Sequence, residues 1–138
     1  MSTLKVRNAL ETHLAAYATT KNIPVVWENI SSIPTTSYIK ATLYPATTIN
    51  PSLGVDHQRL VGLFRMTYYS KELNKGVSAV QTVAEDLIAL FPRGLQLTSS
   101  GVTVWIPNTP SASSIIPEGN YIYLSVDLYY RADIIKNI

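Results

Sequence analysis

Apolar residues recur along this chain with two different periods, and the switches between them mark out its elements. Near the start, Val6, Leu10, Leu14 and Tyr17 follow helical spacing while Arg7, Glu11 and Thr12 fall off that stripe, which predicts an amphipathic helix. Ser2 or Thr3 offers a side-chain oxygen to the unpaired N–H groups of its first turn. The stripe fades at Thr19 and Thr20, and Asn22 and Pro24 end it. The short apolar run Val25-Val26-Trp27 then predicts an edge strand. Over residues 38–44 the period becomes two: Ile39, Ala41 and Leu43 point one way, and Tyr38, Lys40, Thr42 and Tyr44 the other. Pro45 closes that strand.

Residues 46–58 hold the turn formers Pro51 and Gly54 with little periodicity, so they are expected to form a long loop. A long strand is predicted over 59–69. Leu60, Gly62, Phe64, Met66 and Tyr68 share one of its faces; Val61, Leu63, Arg65, Thr67 and Tyr69 share the other, and near the start both faces are partly apolar. A second helix is predicted from near Gly76, with Val77, Val80, Ala84, Leu87, Ile88 and Phe91 as its stripe and Gln81, Glu85 and Asp86 off it. Pro92 and Gly94 stop it, because proline breaks the hydrogen-bond ladder and glycine accepts a left-handed turn.

Residues 95–97 and 102–106 then predict a hairpin around Ser99, Ser100 and Gly101. A polar loop punctuated by prolines is expected over 107–119. The last strand, 121–131, alternates almost without a break: Ile122, Leu124, Val126, Leu128 and Tyr130 inward, Tyr123, Ser125, Asp127, Tyr129 and Arg131 outward. The tail 132–138 is apolar enough to dock against something. Three strands with one apolar face and two helices with one apolar stripe are buried most simply as an α+β two-layer sandwich. That means a mainly antiparallel sheet with both helices packed on one face, in a single domain over 1–138.

Composition adjusts this picture only slightly. The chain of 138 residues is 46% hydrophobic, an ordinary share, but only 14% charged, which favours an assembly subunit. Eleven basic residues are scattered among nine acids for a net charge of +2, so no basic footprint for specific nucleic-acid binding is expected. The absence of cysteine removes disulfides and thiolate metal sites. No apolar run reaches the roughly 18 residues a bilayer span needs, and Lys5, Arg7 and Glu11 break what a signal peptide would require. A protein with no membrane partner, soluble and intracellular at synthesis, is the expectation.

The search for chemistry finds no catalytic residue, cofactor site or metal site. His13 lies beside the first helix's apolar stripe, where a half-buried structural histidine is expected. His57 stands in Asp56-His57-Gln58-Arg59; neighbours on an extended segment point apart, so it is expected on a surface loop. Glu85 and Asp86 are adjacent on a helix and do not face each other. Asp127, on the outer face of the last strand, suits either an ion pair with Arg65 or Arg131 or a contact with another subunit. No phosphate-binding glycine loop and no G-x-S-x-G elbow occur. The nine tyrosines suit strands, interfaces and single-strand stacking alike, but Tyr123 and Tyr129 share their face with Ser125 and Asp127, which favours an interface.

Taken in order, several segments carry a resemblance: Pro24-Val25-Val26-Trp27-Glu28-Asn29, Tyr38-Ile39-Lys40-Ala41-Thr42-Leu43-Tyr44-Pro45-Ala46, Gly62-Leu63-Phe64-Arg65-Met66, Ala84-Glu85-Asp86-Leu87-Ile88-Ala89-Leu90-Phe91-Pro92 and Val126-Asp127-Leu128-Tyr129-Tyr130-Arg131. From about Leu4 to Arg131 the chain resembles phage tail terminator proteins, the tail-completion subunits like the minor tail protein U of lambdoid phages. None of these segments is a strict signature; the likeness lies in their order and spacing. It implies a structural subunit of a hexameric ring in the virion, on the head-proximal end of the tail. Such a ring ends tube polymerisation and offers the surface for head attachment. Its implied partners are other copies of itself, the tail tube protein and a head-completion or connector protein. No family motif fixes the interface, so it is placed by position: Ile49, Leu53, His57 and Arg59 from the loop over 46–59 on one side, Arg65, Tyr69, Asp127 and Arg131 on the outer strand face as part of the other. The alternative is a monomeric α/β module that binds a ligand or nucleic acid, with a hydrolase built around His57 a distant third.

Overall fold

The computed structural model describes residues 2–28, 33–50, 56–71 and 77–136, and within them the first apolar stripe becomes α1 (Ser2–Lys21). Val6, Leu10 and Leu14 are fully buried, and Ala9 and Ala18 join them. The helix stops where Asn22 turns left-handed at φ 56, a conformation asparagine tolerates better than most side chains. That turn lets Ile23 N–H donate to the Ala18 carbonyl at 2.9 Å and Asn22 N–H to Thr19 at 3.3 Å, the paired bonds of a Schellman cap.

Next come β1 (Val25–Val26), β2 (Tyr38–Pro45) and β3 (Asp56–Ser70), then α2 (Ser78–Leu90). The rest of the chain supplies β4 (Gln96–Ser99), β5 (Val102–Trp105), β6 (Ser111–Ala112), β7 (Ile116–Glu118) and β8 (Tyr121–Lys136). They form one sheet in the order β1-β2-β3-β8-β5-β4, with β6 and β7 also on β8. Only β1 against β2 is parallel, so the sheet is mixed but mostly antiparallel, and it curls around the helices. The β3–β8 ladder runs from Asp56 opposite Lys136 to Ser70 opposite Ile122 and is the spine of the molecule.

Both helices pack on one face of this sheet, as the two apolar stripes require. Ile39, Ala41 and Leu43 of β2, Phe64, Met66 and Tyr68 of β3, and Leu124, Val126, Leu128 and Tyr130 of β8 all point into that core. The helices are also pinned to each other. Tyr17 donates its hydroxyl to Asp86 at 3.0 Å, and His13 Nε2 lies 2.7 Å from the Leu90 carbonyl with its ring edge-on to Phe91. His13 is therefore the half-buried structural residue its position suggested.

Four expectations change. The loop expected over 46–58 is shorter, because β3 already begins at Asp56 and carries His57 within a strand rather than on a loop. Residues 107–119 are not wholly irregular: Ser111 and Ala112 pair with Asp127 and Val126, and Ile116 to Glu118 with Tyr123 to Tyr121. The tail does not dock as a separate segment, since β8 continues to Lys136 and buries Ala132. Val77 leaves the buried stripe of α2. It precedes the helix, its carbonyl accepts the first bond from Gln81 N–H at 3.0 Å, and its side chain is half exposed.

Candidate interface on the open face of the sheet

With both helices on one face, the odd-numbered side chains of β3 and β8 are left on the other. Register brings Thr42, Arg65 and Asp127 into one row across β2, β3 and β8. Arg65 meets Asp127 through two hydrogen bonds, Nε to Oδ1 at 2.8 Å and Nη2 to Oδ2 at 3.1 Å. The fork geometry is the strongest that a guanidinium offers a carboxylate. These bonds outweigh the effect of partial burial and hold the guanidinium above its ordinary pKa, while the Tyr44 ring lies 5.6 Å from its centre. Asp127 thus forms an ion pair within its own subunit, and the partner is Arg65 rather than Arg131.

Toward the end of the ladder, Asp133 gathers three donors. Arg59 Nε reaches Oδ1 at 2.9 Å, His57 Nε2 lies 3.1 Å from the same oxygen, and Arg131 Nε reaches Oδ2 at 3.0 Å. Burial alone would raise this carboxyl, but the hydrogen bonds from Arg59, His57 and Arg131 outweigh it and hold the pKa below the ordinary aspartate value. Ile49 is brought alongside through a two-way backbone bridge to Arg59, at 3.0 and 2.7 Å, and leaves its side chain 46% exposed. Leu53 lies outside the described residues. Of the positions expected at an interface, His57, Arg59, Arg65, Tyr69, Asp127 and Arg131 all fall on this one open face.

The structure adds Tyr44 and Trp105, which the sequence reading did not single out, and sets them on the same face as Tyr129, which it did. Tyr44, Tyr129 and Trp105 are exposed large side chains on this face. Tyr44 and Tyr129 border a cavity of about 480 Å³ with Val61, Leu63 and Pro107. The alternation that put Tyr129 outward was the available signal; what it lacked was the neighbour across the sheet. At the other end of the face, Tyr38 stacks on Tyr69 with centroids 4.8 Å apart, and Tyr121 and Tyr123 stand 5.4 and 5.3 Å from Tyr69. Burial first, and then the neighbouring phenols, raise the pKa of Tyr69.

This arrangement offers contact surface more than chemistry. Among the described residues no group of three or more His, Cys, Asp or Glu side chains is placed to hold a metal, and no helix is long and apolar enough to cross a membrane. Comparison with known proteins bears on the role of such a surface. A family model described as phage tail terminator protein matches residues 5–130. A solved structure aligns over 99% of both chains with a TM-score of 0.83 and 26% identity. None of the curated proteins matches the sequence.

Proposed function

The chain belongs to the phage tail terminator protein family, and from that membership and the open sheet face we propose that it works as a ring seated on the end of the tail tube. Its role is structural and non-enzymatic: it caps the head-proximal end of the tail in the virion. A growing tube stops when its last layer presents a surface on which no further tube subunit fits. In this reading the ring is hexameric, with the tail tube protein on one face and a head-completion protein on the other.

The observation that carries the reading is the uncovered sheet face itself. Tyr129 is 59% exposed, Tyr44 48% and Trp105 41%, in a face where ion pairs are already made at Arg65–Asp127 and around Asp133. Exposed apolar surface of that kind marks a partner site, and charges satisfied beforehand lower the desolvation penalty of covering it. His57, Arg59, Arg65, Tyr69, Asp127 and Arg131, with Ile49 beside them, are assigned to subunit or partner contacts on this basis, and Leu53 by its position in the sequence alone.

Tyr129→Asp tests the assignment. The side chain is exposed, so circular dichroism and melting should be unchanged, yet ring assembly and tail joining should be lost, because a carboxylate buried unpaired at a contact costs several kcal/mol. A variant that folds and still completes tails at the parent's yield would remove this face from the interface.

A further inference from the structure

Two patches at opposite ends of β8 carry charges that have no opposite charge beside them among the described residues. The first is a cavity of about 320 Å³ bounded by Arg93, Trp105, Pro107, Arg131 and Asp133. Arg93 sits in the turn over residues 92–95, which Leu95 N–H closes on the Pro92 carbonyl at 3.0 Å and Gly94 permits with φ 89. The arginine is exposed and, among the described residues, its guanidinium has no carboxylate partner. Arg131, in contrast, is already tied to Asp133. Beside these cations Trp105 leaves 41% of its surface in solvent.

The second patch is β7. Its pairing sets Ile116 opposite Tyr123 and Glu118 opposite Tyr121, so these two side chains share one face of an edge strand. Ile116 is 40% exposed. Glu118 stands just before the turn that Gly119 enters with φ 57, and among the described residues it has no cationic partner. Strand rise alone separates Tyr121 from Arg131 by roughly 33 Å.

We propose that these patches are two halves of one contact between copies of this chain: Glu118 of one subunit enters the Arg93 pocket of the next, and its Ile116 covers the Trp105 indole. Charge meets charge and apolar surface meets apolar surface. The halves stand too far apart to satisfy each other within one subunit. On a curled sheet the ends of so long a strand face different ways, so head-to-tail joining brings the halves together. Two different patches meeting in this way repeat from subunit to subunit, and a rotation that closes makes the repeat a ring. Glu85, another acid without a cationic partner among the described residues, lies in a cleft on α2 with Gln81 and Ile88 and serves as a control.

The inference rests on the ring reading above and is tested separately from it. The chain contains no cysteine, so a chain carrying Arg93→Cys together with Glu118→Cys reports the contact directly. Oxidised in a lysate where tails assemble, it should give a ladder of linked subunits on a non-reducing gel. No ladder, or one that stops at a pair, overturns the head-to-tail contact. Arg93→Glu and Glu118→Arg should each reduce the assembled fraction by about tenfold, through the like charges they bring together. The double reversal should restore assembly, and Glu85→Arg should leave it unchanged. Folded single reversals that assemble like the parent, or a double reversal no better than the singles, overturn the proposal. So does a parent chain that stays monomeric by light scattering both alone and with tail tubes. Normal tails made with the charge-reversed subunits would sink this contact and spare the capping role; normal tails made without the gene would sink the capping role itself.

Discussion

Gly62 lies on the core-facing side of β3, where the Tyr130 ring crosses it. A Cβ there would stand 2.5 Å from the Tyr130 hydroxyl and 2.6 Å from the Tyr44 carbonyl. Because one of those neighbours is backbone, Gly62→Ala should destabilise the fold by about 1–3 kcal/mol, as overpacking does elsewhere. Chemical denaturation measures it, and an unchanged midpoint would place the Tyr130 ring elsewhere. Asp133 supplies a second residue-level test. Its folded pKa is depressed, so its contribution is fully present above the unfolded aspartate value of about 3.9 and is lost as pH falls through the folded value. Stability should therefore drop on acidification below about pH 4, and Asp133→Asn should shrink that drop. Equal acid sensitivity in parent and variant would mean the three donors do not favour the charged carboxylate. Neither site was legible in the sequence. Arg59 and Asp133 are 74 positions apart and Gly62 and Tyr130 are 68, and only the β3–β8 register brings them together.

Among the elements, those with one apolar face were readable from spacing. In β8, Leu124, Val126, Leu128 and Tyr130 are buried while Tyr129 and Arg131 are exposed, just as the alternation required. The buried stripe of α2 centres on Leu87, and Gln81 lies on the exposed side. Leu87→Ala should cost about 2–5 kcal/mol by opening a cavity under the sheet, whereas Gln81→Ala should change stability by less than about 0.5 kcal/mol. Equal melting temperatures for the two would invalidate the helix register. The elements that spacing did not reveal are those held by backbone bonds alone. Residues of β6 and β7 are exposed throughout, so no apolar alternation announces them, and Pro117 argues against a strand until β8 is there to pair with. The first residues of β3 escaped for a related reason. His57 and Arg59 are polar and half-buried by hydrogen bonding with Asp133, a form of burial that hydrophobic period does not register.

At the scale of the molecule, two helices close one face of the sheet and leave the other uncovered. The class of fold was legible because five apolar faces needed burial and a two-layer arrangement accommodates them. Most of the residues proposed for contacts were legible as one face, by parity along β3 and β8, but their division into paired charges and exposed aromatics needed the register. Trp105 shows the limit: it alternates with Val104 in a short hairpin strand, and only pairing with Arg131 places it on the open face. If that face joins subunits, each contact should bury more than about 1,000 Å² in total. The central claim, that this chain ends the tail tube, is tested most directly by measuring tail lengths in electron micrographs of a phage lacking the gene. Tubes that overrun their normal length and fail to join heads, both corrected by supplying the parent chain, are the predicted result. Tails of normal length that are infectious without the gene would contradict it.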